Sequence, residues 1–273
     1  MSVIDSFDYQ DLDAQRVGRF DFGINTTFIV YRLGDTIIDA GPSNQWKYVK
    51  WFVKNKPFRQ LVLTHHHEDH SGNAGAIYKL TGIQPRAPKA TVEILKRGFR
   101  IPPIQMLIWG RAGRAEAAPL PEDLRFSGEK VVVIPAPGHA KDMTCYLVQD
   151  RGWIFTADLY VASKLKLLRK DESIPILMHS IKKVLTYDFD IIFCPHRGIV
   201  EKGKVRLQAK YDYLLNLATE ARDLDRQGLP LGEITHRLLG RENMMSVVSG
   251  FNFSKRNLIA SCMRFDPTEV SDY

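Results

Sequence analysis

The sequence has little cysteine and no long apolar run. Its three cysteines, Cys145, Cys194 and Cys262, are widely spaced and each lies beside apolar residues. This pattern favours buried thiols over a disulfide framework. No stretch approaches the roughly 18 to 20 apolar residues that a membrane span requires. Because the N-terminal stretch is acidic and polar where a secretion signal would be basic and then apolar, we expect a cytoplasmic protein with no membrane partner.

Internal repeats and low-complexity segments are also lacking, and the charge is only moderately one-sided. The 273 residues carry 38 basic and 31 acidic side chains, a net charge of +7. Two short basic clusters, at 96–100 and 163–170, are typical of solvated helix faces, although they could also guide an anionic substrate. Basic residues interleaved with surface aromatics are missing, which disfavours a nucleic-acid partner. We therefore expect a small-molecule substrate, with an anionic one as an open alternative.

Strand-like apolar runs alternate with helical periodicity through the first two hundred residues, and the pattern then becomes helical. Neighbouring runs could pair as hairpins, which favours a mixed sheet over an all-parallel one. The pattern predicts an α/β fold, with residues 1–203 as a catalytic domain and residues 204–273 as a helical appendage. Six prolines predict an irregular segment at 84–130. The C-terminal helices could cover the substrate, form a homodimer contact, or read DNA.

A histidine cluster stands out within the stretch THHHEDHSG, where four of the eight histidines fall within residues 65–70. From residue frequency alone, such a window would hold roughly 0.2 histidines. The cluster follows a buried-strand pattern, the usual position of sites in layered α/β folds. His65 and His67 point the same way in an extended chain and can hold one ion, while Asp69 and His70 can address a second position. Imidazole and carboxylate without thiolate suit zinc, iron, manganese or cobalt.

Three further ligand-type residues follow strand-like runs elsewhere in the chain. His139 comes after KVVVI, Asp158 ends the stretch WIFTAD, and His196 ends IIFCPH. Because strand ends can meet along one rim of a sheet, these side chains could gather around the first cluster.

The motifs HHHEDH, IDAG, PGH, TAD and PH resemble those of the metallo-β-lactamase-fold hydrolases, in the same order, from about Asp39 to His196. The resemblance implies an αββα sandwich of two mixed β-sheets flanked by helices. It also implies two divalent metal ions, with zinc as the expected identity and iron or manganese as alternatives. The implied ligands are His65, His67 and His139 for the first ion, Asp69, His70 and His196 for the second, and Asp158 as the bridge between them. Asp39 is implied to support the site from outside the ligand set.

Two such ions lower the pKa of water towards about 7, so that a metal-bridging hydroxide can act as the nucleophile. We therefore predict a dinuclear-metal-dependent hydrolase that acts on an ester, thioester or lactone of a small molecule, as in the glyoxalase II-like branch. Asp69 is expected to steer the proton of the nucleophile. Tyr160 could donate to a developing oxyanion, with core packing as the alternative. A phosphodiesterase or nuclease-type hydrolase and a non-catalytic metal-bearing sensor or scaffold stay open.

Overall fold

The computed structural model describes residues 3–21 and 26–266 of the chain. By compactness, the chain divides into two units. The first unit comprises residues 1–135, 142–161 and 188–201, and the second comprises residues 136–141, 162–187 and 202–273. The sequence predicts a catalytic domain at 1–203 and an appendage at 204–273. The two compact units do not test which residues take part in catalysis, so this division stays a prediction.

The first unit contains two mixed β-sheets. The seven strands of the first sheet lie side by side in chain order: β1 (Val3–Tyr9), β2 (Leu12–Gly18), β3 (Phe28–Leu33), β4 (Thr36–Ile38), β5 (Gln60–Val62), β6 (Arg86–Ala87) and β7 (Ala118–Pro119). The six strands of the second sheet are β8 (Arg125–Phe126), β9 (Glu129–Pro135), β10 (Thr144–Val148), β11 (Trp153–Phe155), β13 (Ile191–Cys194) and β14 (Gly198–Val200), arranged in the order β14-β13-β11-β10-β9-β8. Strands β4 to β7 pair in parallel, as do β11 and β13, whereas the other pairs are antiparallel. The predicted mixed pairing is confirmed.

An apolar core joins the inner faces of the two sheets. Tyr31 of the first sheet contacts Phe155 and Phe193 of the second, with ring centroids 5.8 and 5.7 Å away. The Tyr31 hydroxyl donates a hydrogen bond to the carbonyl oxygen of Cys194 at 2.7 Å, so this buried polar group is satisfied. Burying one such aromatic side chain stabilises the fold by about 1.5–3 kcal/mol.

Helices cover the opposite face of the first sheet. They are α1 (Trp46–Asn55), α2 (Glu68–Ser71), α3 (Ala74–Thr81), α4 (Lys89–Arg97) and α5 (Pro103–Trp109). Along β3, Ile29 joins the core between the sheets, whereas its neighbours Phe28 and Val30 join a second apolar cluster with Phe52 of α1 and Ile77 of α3. This alternation is the period of two that a strand buried on both faces requires. The predicted α/β layering is confirmed.

The segment 84–130 is more regular than its prolines predict. Pro88 is the N-cap of α4, Pro102 is the N-cap of α5, and Pro103 is the first residue of α5. The first turn of a helix needs no backbone N–H from its opening residues, and the fixed φ of proline suits it. The prolines therefore begin helices here rather than interrupt them, and the prediction of an irregular segment is wrong for these positions.

The second unit is mainly helical. It contains α6 (Ile174–Leu185), α7 (Gly203–Arg226), α8 (Leu231–Leu239), α9 (Met244–Val248) and α10 (Lys255–Cys262), and a short antiparallel pair, β12 (Leu168–Arg169) with β15 (Phe253–Ser254). Helix α6 packs against α7 and α10, which explains why residues 162–187 group with the C-terminal helices. Of the helices in the described ranges, none combines the length and the apolar character needed to cross a membrane. All three cysteines are buried thiols, as predicted.

Candidate metal centre

The histidine cluster begins just after a buried strand. Strand β5 ends at Val62, and the chain then carries His65 and His67 before α2, whose first residues include Asp69 and His70. All four of these ligand-type side chains are buried. A buried run of imidazoles and carboxylates is costly unless each polar group is paired or binds a cation.

Two neighbouring strands of the second sheet lead to the other ligand-type residues of the first unit. Asp158 follows β11, and His196 follows β13. Because β11 and β13 are parallel neighbours, both chains leave the sheet at the same edge. This is the gathering at a sheet rim that the sequence predicts for these two residues.

The ligand-type atoms of the first unit fall into two groups, and within each group they all lie within 4.8 Å of one another. One group includes His65, His67 and Asp158, and the other consists of Asp69, His70 and His196. In the first of these groups, His65 Nε2 and His67 Nδ1 lie 2.9 Å apart, so the two rings direct nitrogens at the same point.

The atoms around Asp158 are spaced more widely than ordinary hydrogen-bond partners. His196 Nε2 lies 3.3 Å from Asp158 Oδ1 and 3.4 Å from Asp69 Oδ2, and His70 Nε2 lies 3.4 Å from Asp158 Oδ1. Around a tetrahedral zinc ion with bonds of about 2.0–2.1 Å, the ligand atoms lie about 3.3–3.4 Å apart. His70 Nε2 is fully buried and has no hydrogen-bond partner among the described residues. The arrangement fits one small cation shared by these atoms.

Oxygen atoms determine which ring nitrogen two of the histidines present. His196 Nδ1 lies 2.8 Å from the carbonyl oxygen of Thr27, which can only accept, so Nδ1 carries the hydrogen and the neutral ring keeps its lone pair on Nε2. His70 Nδ1 lies 2.8 Å from Asp39 Oδ2. Asp39 has a left-handed φ of 61°, and its carboxylate also accepts from the Thr64 backbone N–H at 2.8 Å. Contacts of this kind orient metal-binding imidazoles.

Electrostatics in this second group favours a positive charge. Burial alone would lower the pKa of His70, but the carboxylates of Asp39, Asp158 and Asp69 outweigh it and raise that pKa well above its ordinary value. The pKa of His196 is also raised well above its ordinary value, because Asp158 and Asp69 outweigh burial. Burial would raise the pKa of Asp69, yet the nearby imidazoles lower it. A divalent cation supplies the same positive charge and competes with these protons.

His66 turns to a different partner from its neighbours. Its Nδ1 lies 2.8 Å from Asp142 Oδ1, and its backbone N–H donates to Asp142 Oδ2 at 2.9 Å. Thr91 donates its hydroxyl to the same carboxylate at 2.8 Å. Burial alone would raise the pKa of Asp142, but the bonds from His66 and Thr91 lower it. This network fixes the backbone between His65 and His67, a role for Asp142 that no sequence motif signals.

His139 belongs to the second unit, in the segment 136–141 whose chain neighbours on both sides belong to the first. Its Nδ1 lies 2.6 Å from Glu172 Oε1, and Glu172 Oε2 accepts from the Arg169 backbone N–H at 3.2 Å. Gly138 has a φ of 131°, and a Cβ there would lie 2.5 Å from Leu177 Cα. The glycine therefore permits close packing against α6, and the Glu172 carboxylate orients the His139 ring. Sequence reasoning missed Glu172, which lies outside every motif.

Tyr160 is buried two residues after Asp158, at 3% exposure. That burial accommodates either of the predicted roles, so the oxyanion role stays a prediction. Lys164 and Lys166, from the basic cluster at 163–170, are exposed, and so is Arg197, which follows His196.

Comparison with known sequences identifies relatives of this arrangement. A family model described as the metallo-beta-lactamase superfamily matches residues 19–196, about two thirds of the chain. Over 142 residues, the chain is 27% identical to the hydroxyacylglutathione hydrolase of Cereibacter sphaeroides. That alignment covers 52% of this chain and 49% of the enzyme, so the chain spans about half the length of this curated relative.

Solved structures share the fold. A metallo-beta-lactamase family protein from Thermus thermophilus superposes with a TM-score of 0.66 at 15% identity, covering 93% of this chain and 91% of that chain. A beta-lactamase domain protein from Burkholderia ambifaria gives a TM-score of 0.70 at 13% identity, covering 94% of this chain and 87% of that chain. At identities this low, the likeness shows the fold alone.

Proposed function

Because the chain belongs to the metallo-beta-lactamase superfamily, we propose that it is a dinuclear-metal-dependent hydrolase that cleaves an ester, thioester or lactone of a small molecule. The superfamily binds divalent metals, typically zinc, and the His/Asp groups of this chain fit such ions. The single observation that carries the proposal is the spacing around Asp158 Oδ1, at 3.3 and 3.4 Å from two imidazole nitrogens. Those distances are too long for strong hydrogen bonds and suit a shared cation.

We assign the ligands in two sets that share one carboxylate. The proposed first set is His65, His67 and His139, the second is Asp69, His70 and His196, and Asp158 contributes to both. Support for the shared role is that Asp158 groups with His65 and His67 and also lies within 3.4 Å of His70 and His196. Support for His139 is its Nδ1 contact with Glu172, which assigns the lone pair of the neutral ring to Nε2.

Bound divalent ions supply Lewis acidity and lower the pKa of water. Residues of the chain are proposed to direct the proton, orient the metal-binding imidazoles and stabilise the oxyanion. Asp69 is the proposed group that steers the proton of the nucleophile, and its Oδ2 lies 3.4 Å from His196 Nε2. Asp39 and Thr27 hold the rings of His70 and His196 in one orientation through their Nδ1 atoms. Tyr160 is the proposed donor to the developing oxyanion.

A thioester is the substrate class with the most direct support. The matched Cereibacter sphaeroides enzyme is named for hydroxyacylglutathione, which is a thioester. In a thioester the carbonyl carbon is attacked and a thiolate leaves, and both the polarised carbonyl oxygen and the thiolate are stabilised by nearby positive charge.

The test is a substrate panel with the full chain, stripped of metal and reloaded separately with zinc, iron or manganese. The panel contains p-nitrophenyl acetate, a glutathione thioester, a lactone and bis-p-nitrophenyl phosphate. We expect turnover of the carboxylic substrates, highest for the thioester, and loss of turnover in Asp69→Ala. His236→Ala, at an exposed position of α8, is the matched control and should keep full activity.

Two results would contradict the proposal. Turnover of the phosphodiester alone would indicate a nuclease-type hydrolase. Binding of metal without turnover of any substrate would indicate a sensor or scaffold that does not use the metal for chemistry.

A further inference from the structure

The second unit exposes a cluster of apolar side chains. Ten large apolar side chains are exposed in the part of the chain that the structure describes, and five of them fall within residues 244–251. These five, which we call the apolar patch, are Met244, Met245, Val247, Val248 and Phe251. Single exposed apolar residues are ordinary on protein surfaces, but a contiguous group marks a contact surface.

Helix α9 buries its polar side chain and exposes its apolar ones. Its Ser246 is fully buried and bonds to Glu242 Oε2 at 2.6 Å, whereas Met244 is 77% exposed. The Asn243 side chain caps the helix by accepting from the Ser246 backbone N–H at 3.1 Å. A helix on a water-exposed surface normally buries its apolar residues and exposes its polar ones. The capping and the buried serine therefore hold the apolar side outward.

Phe251 lies at the C-terminal end of the apolar patch. It has a left-handed φ of 59° and is 55% exposed. Its backbone N–H donates to the Ser246 carbonyl at 2.7 Å, and its carbonyl accepts from Asn257 Nδ2 at 3.2 Å, so the conformation is fixed by hydrogen bonds. Non-glycine residues are uncommon in this region, and the two hydrogen bonds hold the Phe251 backbone there.

The charge of the chain is concentrated in the same unit. The first unit contains 20 basic and 20 acidic residues, and the second contains 18 basic and 11 acidic, so the second carries the whole net charge of +7. Residues 241–256, which include the apolar patch, hold three basic residues, Arg241, Lys255 and Arg256, and one acidic residue, Glu242. The Glu242 carboxylate already accepts from the Lys255 and Arg256 backbone N–H groups at 3.0 and 2.9 Å.

We propose that the apolar patch docks on an anionic lipid surface. A second copy of the chain would bring two units of net charge +7 together, which like-charge repulsion opposes. A bilayer interface accepts several apolar side chains without a shaped groove, while its anionic headgroups attract the flanking arginines. The expectation of no membrane partner rests on the lack of a spanning segment and on an N-terminal stretch unlike a secretion signal, and docking on a lipid surface needs neither feature. The docking is independent of the proposed hydrolase activity.

The test measures co-sedimentation of the full chain with vesicles. One preparation is phosphatidylcholine alone, and the other contains roughly 30% phosphatidylserine, within the range of anionic surfaces that attract basic segments. We expect binding to the anionic vesicles only, and a clear loss of binding as added salt screens the attraction.

Variants separate the apolar and the charged contributions. The triple variant Val247→Ser, Val248→Ser, Phe251→Asn should bind about tenfold more weakly or worse, because apolar insertion is lost, and asparagine tolerates the left-handed φ at position 251. Arg241→Gln with Arg256→Gln should remove the preference for anionic vesicles. Val205→Ser is the matched control, since Val205 is 65% exposed in the same unit but outside the patch. Unchanged thermal melting verifies that each variant is folded.

Three outcomes would overturn the proposal. The first is no sedimentation of the wild-type chain with anionic vesicles. The second is equal binding by the triple variant and the wild type. The third is a wild-type dimer, measured by light scattering, that the triple variant converts to monomer without any effect on vesicle binding; this would assign the patch to a second copy.

Discussion

The two units of the molecule treat polar groups in opposite ways. The first unit has equal numbers of basic and acidic residues and buries imidazoles and carboxylates next to one another. The second unit carries the whole positive excess and exposes apolar side chains on α9. A buried charge requires a compensating cation or partner, whereas a group of neighbouring exposed apolar side chains is typical of a contact surface. We propose that the first unit supplies most of the metal ligands and that the second presents a surface for contact with a partner.

The largest effect should come from removing the Asp158 carboxylate, which we propose contributes to both metal sites. Asp158→Ala takes away an atom that lies 3.3 to 3.4 Å from two imidazole nitrogens. Metal assistance supplies several kcal/mol of transition-state stabilisation, so we expect kcat/KM to fall by roughly 10³-fold or more. Steady-state kinetics on the best substrate measures this, with Asp150→Ala, at an exposed aspartate just before β11, as the control. Equal activity of the two variants would contradict the role of Asp158.

A smaller loss, in metal affinity, should follow when the carboxylates that contact the Nδ1 atoms of His70 and His139 are changed. One of these carboxylates belongs to each unit. Asp39→Asn weakens the orientation of His70, and Glu172→Gln weakens that of His139. Loss of such a partner typically lowers metal affinity about 10- to 100-fold. Competition with a chromophoric chelator measures the affinity, and Glu233→Gln, which breaks an exposed ion pair with Arg237, is the control.

The Glu172 variant also tests whether residues of the second unit contribute to metal binding. If Glu172→Gln lowers metal affinity as Asp39→Asn does, residues of both units contribute to metal binding. An affinity equal to that of the control would restrict metal binding to residues of the first unit.

Arg16 should have a more modest effect, confined to stability and to the His196 segment. Its guanidinium donates to the carbonyl oxygens of His196 at 2.7 Å and Arg197 at 3.2 Å, and to the Thr27 hydroxyl at 2.9 Å. Arg16→Met leaves these acceptors without their donor, which should lower the free energy of unfolding by about 1–3 kcal/mol. Denaturant unfolding measures this loss. Arg19→Met, which removes one exposed bond, should cost much less, and an equal loss in both variants would refute this role.

The smallest effect concerns acid stability in the second unit. Burial alone would raise the pKa of Glu242, but Ser246 and the backbone amides of Lys255 and Arg256 lower it below the ordinary value of 4.5. A carboxylate with a depressed pKa contributes stability that is present above its unfolded pKa and is lost as the pH falls through its folded pKa. We therefore expect Glu242→Gln to melt at a lower temperature than the wild type near neutral pH, and the difference to shrink below about pH 4.5. A difference that is constant with pH would show that the charge is irrelevant.

The sequence indicated the strands that lead to the site because buried strands have a clear apolar signature. The runs before His65, Asp158 and His196 appear as β5, β11 and β13. The N-terminal strands β1 and β2 were not foreseen, because the polar residues of β1 give no such signature at the edge of a sheet. The partners Glu172 and Asp142 were also missed, because a contact between distant segments leaves no local pattern. The exposure of α9 could not be inferred either, since an apolar run is usually buried.

Metal counting tests the central claim most directly. The wild-type chain, His196→Ala and the control His236→Ala are each stripped of metal with a chelator and then dialysed against excess zinc. Elemental mass spectrometry then gives the zinc bound per chain after unbound zinc is removed. We predict two ions per chain in the wild type and the control, and a loss of one or both in His196→Ala, since His196 Nε2 faces both Asp158 and Asp69. Retention of no zinc by the wild type, or identical zinc content in all three proteins, would contradict the proposed centre.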